Sequence, residues 1–265
     1  SCRACEECVA GEEQFCSGPG GMHGTYGSER PEALHPGGVT QGGYSSDIVV
    51  DENYVIKVPR KMHVAAAAPL LCAGITCYSP FLKYGVKAGT NLGVVGLGGL
   101  GHMAVKIGAA MGANVTVLTR SPAKRELALA MGASKVIIST NADEMASAAK
   151  SLHVIYNSIA FPHDIHPYLN LLKSQGTIVM IGGVPEGAMP KGSFALIGRG
   201  LRVAGSLIGG IRDTQAMIDF CAEHDILCEI ELVPATPDAV DVAWERAIAA
   251  DVKFRFVIDT AATLE

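Results

Sequence analysis

Excess positive charge is absent from this sequence: 21 Lys and Arg stand against 26 Asp and Glu, a formal net charge of -5. Binding a phosphate backbone needs clustered surplus Lys and Arg, and no long stretch supplies them, so a nucleic-acid partner is not expected. Long apolar runs are also missing. Runs such as AAAAPLLCAGITCY fall short of the roughly 20 residues a spanning helix needs, and Gly and Pro interrupt them, so no membrane is implied. The start of the chain shows no basic segment followed by an apolar core, so no signal peptide is expected, and a cytoplasmic, reducing setting is the default. There is no internal repeat. What remains, 265 residues with 49% hydrophobic and 18% charged residues and 31 glycines, fits a globular α/β protein of one large domain or two ordinary ones.

In a reducing setting disulfides are not expected, so the eight cysteines need another explanation. Cys72, Cys77, Cys221 and Cys228 are scattered in apolar surroundings, where free cysteine commonly acts as a small buried hydrophobe. Cys2, Cys5, Cys8 and Cys16 differ. Their spacing, C-x2-C-x2-C-x7-C, lets a short loop wrap one ion with four sulfurs, which suits a closed structural zinc site, since a catalytic zinc keeps one position open. An iron–sulfur cluster uses similar spacing and a disulfide pair remains formally open, so the cysteines alone do not decide.

Residues 17 to 45 are rich in Gly, Pro and Ser and read as irregular loop. DIVVDENYVIKVP, residues 47 to 59, alternates apolar and polar positions as strands do. From Leu92 onward short apolar runs (LGVVG, NVTVLT, KVIIS, HVIYNSI, TIVMIGG, LRVAGSL) alternate with helical stretches, the mark of βα units building a parallel sheet covered by helices on both faces. After Gly210 the pattern gives a helix (DTQAMIDFCAEH), a strand (EIELVP), an amphipathic helix (DAVDVAWERAIAAD) with Trp244 facing a core, and a last strand (FRFVID).

Residues 96 to 101, GLGGLG, place Gly96, Gly98 and Gly101 in G-x-G-x-x-G spacing between an apolar strand and a helix. Gly96 would permit the tight turn, Gly98 would let the backbone approach a pyrophosphate, and Gly101 would let helix and strand pack closely, with the pyrophosphate at the positive end of the helix. A glycine-rich turn without a ligand is the plainer reading. The end of the second strand bears on which dinucleotide would bind. An NAD-binding protein places Asp or Glu there for the ribose 2′-hydroxyl, yet Leu97 to Arg125 contains neither. Thr119, Arg120, Ser121 and Lys124 offer hydroxyls and positive charge instead, which suits a 2′-phosphate and so NADP(H). The alternative for Arg120, Lys124 and Arg125 is a solvated helix face, and it applies best to Arg125.

CRACEEC with its fourth cysteine, GGYSSDIVVDENYVIKVP, AAAAPLLCAGITCYSP, GVVGLGGLGHMAVKIGAAMGA, AGSLIGGIRDTQAMIDFCAEH and FRFVID together resemble the zinc-dependent medium-chain alcohol dehydrogenases. The branch is the cinnamyl-alcohol-dehydrogenase-like one, which includes bacterial NADPH-dependent aldehyde reductases. The resemblance implies a doubly wound parallel Rossmann sheet with flanking parts of a GroES-like barrel catalytic domain. Residues 1–71 would carry the C-terminal part of the catalytic domain with the zinc lobe, 72–210 the NADP-binding domain, and 211–265 a return segment.

The resemblance further implies structural zinc on Cys2, Cys5, Cys8 and Cys16, and Cys72 as a ligand of catalytic zinc. It puts Thr76 beside the nicotinamide, Ser158 and Gly182 along the cofactor cleft, and Ser206, Leu207 and Ile208 at the carboxamide. The turn residues Leu97, Gly99 and Leu100 accompany the three glycines. Cys77 keeps its reading as a core thiol, and His102 reads as a helix-start residue with no catalytic role. The implied activity is hydride transfer between NADP(H) and a primary alcohol or aldehyde, in a homodimer joined near SLIGGI. In the family a preceding segment supplies another cysteine, a Gly-His-Glu motif and the first group of a proton relay. None of the eight histidines here lies in a Gly-His-Glu context, so Cys72 is expected to be a lone ligand. A fragment of a longer enzyme is the expectation, and a truncated, non-catalytic NADPH-binding protein with only a structural zinc is the alternative.

Overall fold

The computed structural model describes residues 1–19, 21–29, 37–45, 47–183, 192–249 and 251–260. The helices are α1 (Glu6–Ala10), α2 (Val64–Ala67), α3 (Ala73–Lys83), α4 (Gly101–Ala110), α5 (Arg125–Ala130), α6 (Ala142–Ser147), α7 (His166–Leu169), α8 (Phe194–Ile197), α9 (Ile211–Glu223) and α10 (Pro237–Ile248). The strands are β1 (Asn91–Val95), β2 (Asn114–Thr119), β3 (Lys135–Ile138), β4 (Leu152–Asn157), β5 (Leu172–Met180), β6 (Arg202–Gly205), β7 (Ile230–Pro234) and β8 (Arg255–Asp259).

β1 to β6 form one sheet in the order β3-β2-β1-β4-β5-β6, with every pair parallel. Successive strand residues point to opposite faces, and here both faces are buried. Val94, Val117, Tyr156 and Val179 pack toward α3 and α4, while Val95, Leu118, Ile155 and Ile178 pack on the other side with Ile165 and Leu169. Two-sided burial is why these strands read as continuous apolar runs.

α3 is buried along most of its length, from Ala73 to Phe81, between α4 and α9. Small residues permit this. A Cβ on Gly74 would come within 2.7 Å of the Met217 sulfur on α9, so glycine lets the two helices approach. Among the described residues no single helix is long and apolar enough to cross a membrane, and the bent pair 64–71 and 73–83, apolar enough by composition, owes that to α3's place in the core.

Two sequence expectations fail. Residues 47–59 form no strand: a single 3-10 turn occupies Glu52–Tyr54, and Val49 is fully exposed. Alternation specifies a strand only where a neighbour takes its hydrogen bonds, and none lies alongside among the described residues. Trp244 does not face a core. It is 66% exposed on α10, a helix with no buried residue, which bridges the separate two-stranded parallel sheet of β7 and β8. The expected loop at 17–45 is irregular where described, with one antiparallel bridge between Glu29 and Val39; positions 20 and 30–36 lie outside the described residues.

Candidate functional site

The strand order reverses between β1 and β4, and in open parallel sheets ligands bind beyond the carboxyl ends of the strands at such a point. A cleft of about 1010 Å³ opens there. It gathers side chains from the sheet, from α3 and from β8.

The glycine turn forms its floor. Gly96 follows β1 at φ +88°, which a side chain would strain. A Cβ on Gly101 would overlap the Gly96 carbonyl oxygen, so α4 can begin against the turn only with glycine there. A Cβ on Gly98 would meet nothing within 4 Å: its backbone faces open cleft, which suits close approach of a phosphate to the start of α4. Ser158 closes the far side, donating from Oγ to the Val95 carbonyl at 2.7 Å. Gly101 and Gly182 support the cleft rather than line it; a Cβ at Gly182 would overlap the Ile159 carbonyl oxygen.

At the end of β2, Thr119 Oγ1 accepts from the Ser121 N–H at 3.2 Å and bends the chain over the cleft. Lys124 crosses to donate from Nζ to the Leu97 carbonyl at 3.1 Å, which brings its ammonium beside the turn. None of the ion pairs among the described residues uses Arg120 or Lys124. Their charge is therefore uncommitted to carboxylates. Arg125 differs from its expected solvated role: its guanidinium donates to the Val136 carbonyl at 2.9 Å and pairs with Glu144 at 3.2 Å, tying α5 to β3 and α6.

The opposite end holds Cys72, Thr76, Ser206, Leu207 and Ile208. Cys72 is exposed to the cleft, unlike Cys77, Cys221 and Cys228, which are buried. Burial pushes the Cys77 thiol up to about 12, as befits a core thiol. Thr76 donates to the Cys72 carbonyl at 2.6 Å, and its own carbonyl accepts from the buried Tyr156 hydroxyl at 2.6 Å, so this turn of α3 is fixed from both sides. Ile208 holds φ +30°, unusual for a β-branched residue, and a Cβ on the next residue, Gly209, would come within 2.7 Å of the Ile75 side chain.

Two cleft features carried no sequence motif. Arg255, the first residue of β8, lies on the cleft wall with its guanidinium against Gly99; a Cβ at Gly99 would come within 2.9 Å of Nη2. Only the strand alternation of FRFVID marked it. His163 accepts at Nε2 from Asn157 Nδ2 at 2.8 Å and donates from Nδ1 to the Phe161 carbonyl at 2.6 Å, shaping the loop after β4.

Far along the chain from these residues, Cys2, Cys5, Cys8 and Cys16 bring their Sγ atoms within 4.8 Å of one another. Cys5 and Cys16 sulfurs stand 3.8 Å apart, close to the edge of about 3.8 Å expected for a tetrahedron with metal–sulfur bonds of about 2.3 Å. The Ala4 and Cys5 N–H groups point at the Cys2 sulfur, and the Cys2 N–H at the Cys16 sulfur, at 3.2–3.4 Å. Such N–H groups favour thiolate and hold the Cys2, Cys5 and Cys16 thiols below their ordinary value, while burial pushes Cys8 up to about 11. A Cβ at Gly18 would strike the Cys2 sulfur, so the loop can close only with glycine there. The donor set fits one soft, tetrahedral ion. The lobe docks where the Ile211 N–H, at the start of α9, donates to the Glu13 carboxylate at 3.1 Å. Among the described residues this is the one group of three or more ligand-type side chains close enough to share an ion, and Cys72 is not in it.

Residues 99–223 match the family model of the zinc-binding dehydrogenases. The chain is 48% identical over 261 residues to NADP-dependent alcohol dehydrogenase C 1 of Mycolicibacterium smegmatis, covering 98% of this chain and 72% of that protein. It is 48% identical over 260 residues to aldehyde reductase YahK of Escherichia coli, covering 98% and 72%. Cinnamyl alcohol dehydrogenase from Helicobacter pylori, solved with NADP(H), superposes with a TM-score of 0.87 at 40% identity, over 100% of this chain and 73% of that one.

Proposed function

This chain belongs to the zinc-binding dehydrogenase family, and on that premise we propose that it forms the NADP(H) site and structural metal lobe of an alcohol dehydrogenase acting mainly as an aldehyde reductase. The observation that carries the reading is a single cleft joining the glycine turn, an acid-free strand end with Arg120, Ser121 and Lys124, and Cys72 with Thr76 at the other end. The cleft's lining, from Arg120 and Ser121 after β2 to Thr76 on α3, suits a dinucleotide laid across the sheet with its adenosine at β2 and its nicotinamide at α3.

When bound, the nicotinamide would supply hydride and a zinc at Cys72 would supply Lewis acidity toward a carbonyl. The chain's own work is placement. Arg120, Ser121 and Lys124 would bind a 2′-phosphate by charge and hydrogen bonds, the N–H groups at the start of α4 and Arg255 would bind the pyrophosphate, and Thr76 with Ser206–Ile208 would set the nicotinamide face. Cys2, Cys5, Cys8 and Cys16 would hold a structural zinc that orders the lobe. We assign the dinucleotide unit to 72–210, flanked by 1–71 and 211–265, in a homodimer joined near SLIGGI in the cytoplasm.

The test is aldehyde reduction by the full-length protein with zinc present. Turnover with NADPH well above that with NADH is expected, and no reduction with either cofactor would overturn the enzyme reading. A second reading is a non-catalytic NADPH-binding protein with only the structural zinc. Elemental analysis separates the two, with two zincs per full-length chain for the enzyme and one for the binding protein.

A further inference from the structure

His102 opens the first turn of α4 directly after the glycine turn and has no exposed surface. Its Nδ1 lies 3.2 Å from the Gly98 carbonyl oxygen, so Nδ1 carries the hydrogen and donates. Nε2 is then a buried acceptor, without a partner among the described residues. A side chain serving only to fill this space would be apolar, because burying an unpaired polar atom costs free energy that a leucine would avoid.

The same ring does something else. It stacks on Phe254, centroids 4.3 Å apart and planes 16° from parallel. Phe254 sits at φ +76°, in the left-handed region that a bulky residue occupies only when its surroundings hold it there. The next residue is Arg255, whose guanidinium lies against Gly99 on the cleft wall. One imidazole therefore touches both the turn and the strained residue that sets the direction of the arginine facing it.

We propose that His102 is a positioning residue for the pyrophosphate end of the cleft: its Nδ1–H holds the Gly98 carbonyl, and its stack on Phe254 keeps the backbone bend that aims Arg255 at the turn. The proposal rests on the reading of the cleft as a dinucleotide site. Burial, with lesser contributions from the Lys106 and Arg255 charges, lowers the His102 pKa to about 4, so the ring keeps its acceptor nitrogen bare at neutral pH.

Titration calorimetry of the full-length protein tests this with two ligands. NADPH spans the whole cleft, whereas adenosine 2′-monophosphate keeps the adenine and 2′-phosphate but has no pyrophosphate. His102→Leu and Arg255→Ala are each expected to weaken NADPH about tenfold and to leave adenosine 2′-monophosphate within about twofold. The double variant is expected to lose less than the product of the two single losses, because the stack on Phe254 acts through Arg255 while only the Nδ1–H contact with the turn acts apart from it. Equal losses for both ligands in His102→Leu, unchanged NADPH affinity, or additive losses in the double variant would each overturn the proposal. His102→Phe keeps an aromatic ring to stack on Phe254 and loses the Nδ1–H, so if His102→Leu does not fold, His102→Phe carries the same ligand contrast with a smaller loss of about threefold. Wild-type protein that bound neither ligand would remove the dinucleotide reading and the proposal together. Wild-type binding of both ligands, with His102 variants equal to it, would remove the proposal alone.

Discussion

The four-cysteine lobe and the cleft at the strand-order reversal collect their functional groups in opposite ways. The lobe draws every donor from Cys2 to Cys16, so spacing alone brings the sulfurs within reach of one another. The cleft draws on residues from Cys72 to Arg255, and its groups meet only because six parallel strands order themselves around β1 and β4. A local site is specified by sequence, whereas a distributed site is specified by the fold and survives or fails with it.

That contrast predicts where single substitutions act. Cys8→Ser removes a buried donor from the lobe, and three thiolates leave a structural ion short of its closed geometry. Elemental analysis should show one zinc fewer per chain, and thermal unfolding should show a loss on the order of several kcal/mol, the effect expected where a bound metal orders a loop. Unchanged zinc content would remove the lobe from the account. The cleft residues should titrate with NADPH as before if they remain folded, since none of them belongs to the lobe.

The distributed site also explains which parts of the fold were legible. The βα alternation was readable because parallel strands buried on both faces leave apolar runs, and GLGGLG was readable because turn, close approach and helix packing each demand glycine at a fixed offset. The strand expected at 47–59 was not, since alternation records a pattern and not a partner. Arg255 was missed because nothing in FRFVID tells that its arginine meets the turn more than 150 residues earlier. α9 and α10 make the limit plain. Both have amphipathic sequences of similar length, yet α9 buries Met217, Ile218 and Cys221 against α3, while α10 buries nothing. Met217→Ala should therefore cost about 2–5 kcal/mol, since it opens a cavity beneath the helix carrying Thr76, and Trp244→Ala within about 0.5 kcal/mol. Urea unfolding of both variants measures this. Equal costs would mean that Trp244 is covered in the protein measured.

A substitution with little expected effect on the fold is the most specific to the cleft. Arg120 sits exposed at the end of β2, in no ion pair among the described residues, so replacing it should disturb little of the fold. Arg120→Asp restores the acid that an NAD-binding strand end carries, placing a negative charge where a 2′-phosphate would lie and offering a ribose hydroxyl an acceptor. Losing a charge-assisted hydrogen bond to phosphate is worth about 1.5–3 kcal/mol, so NADPH affinity should fall by roughly ten- to a hundredfold. NADH has no 2′-phosphate to repel, and its affinity should hold or improve. The ratio of the two dissociation constants, taken by fluorescence titration on one preparation, cancels any general loss of folded protein. A ratio unchanged from wild type would show that the positive strand end is only solvated surface and would leave cofactor choice to other residues.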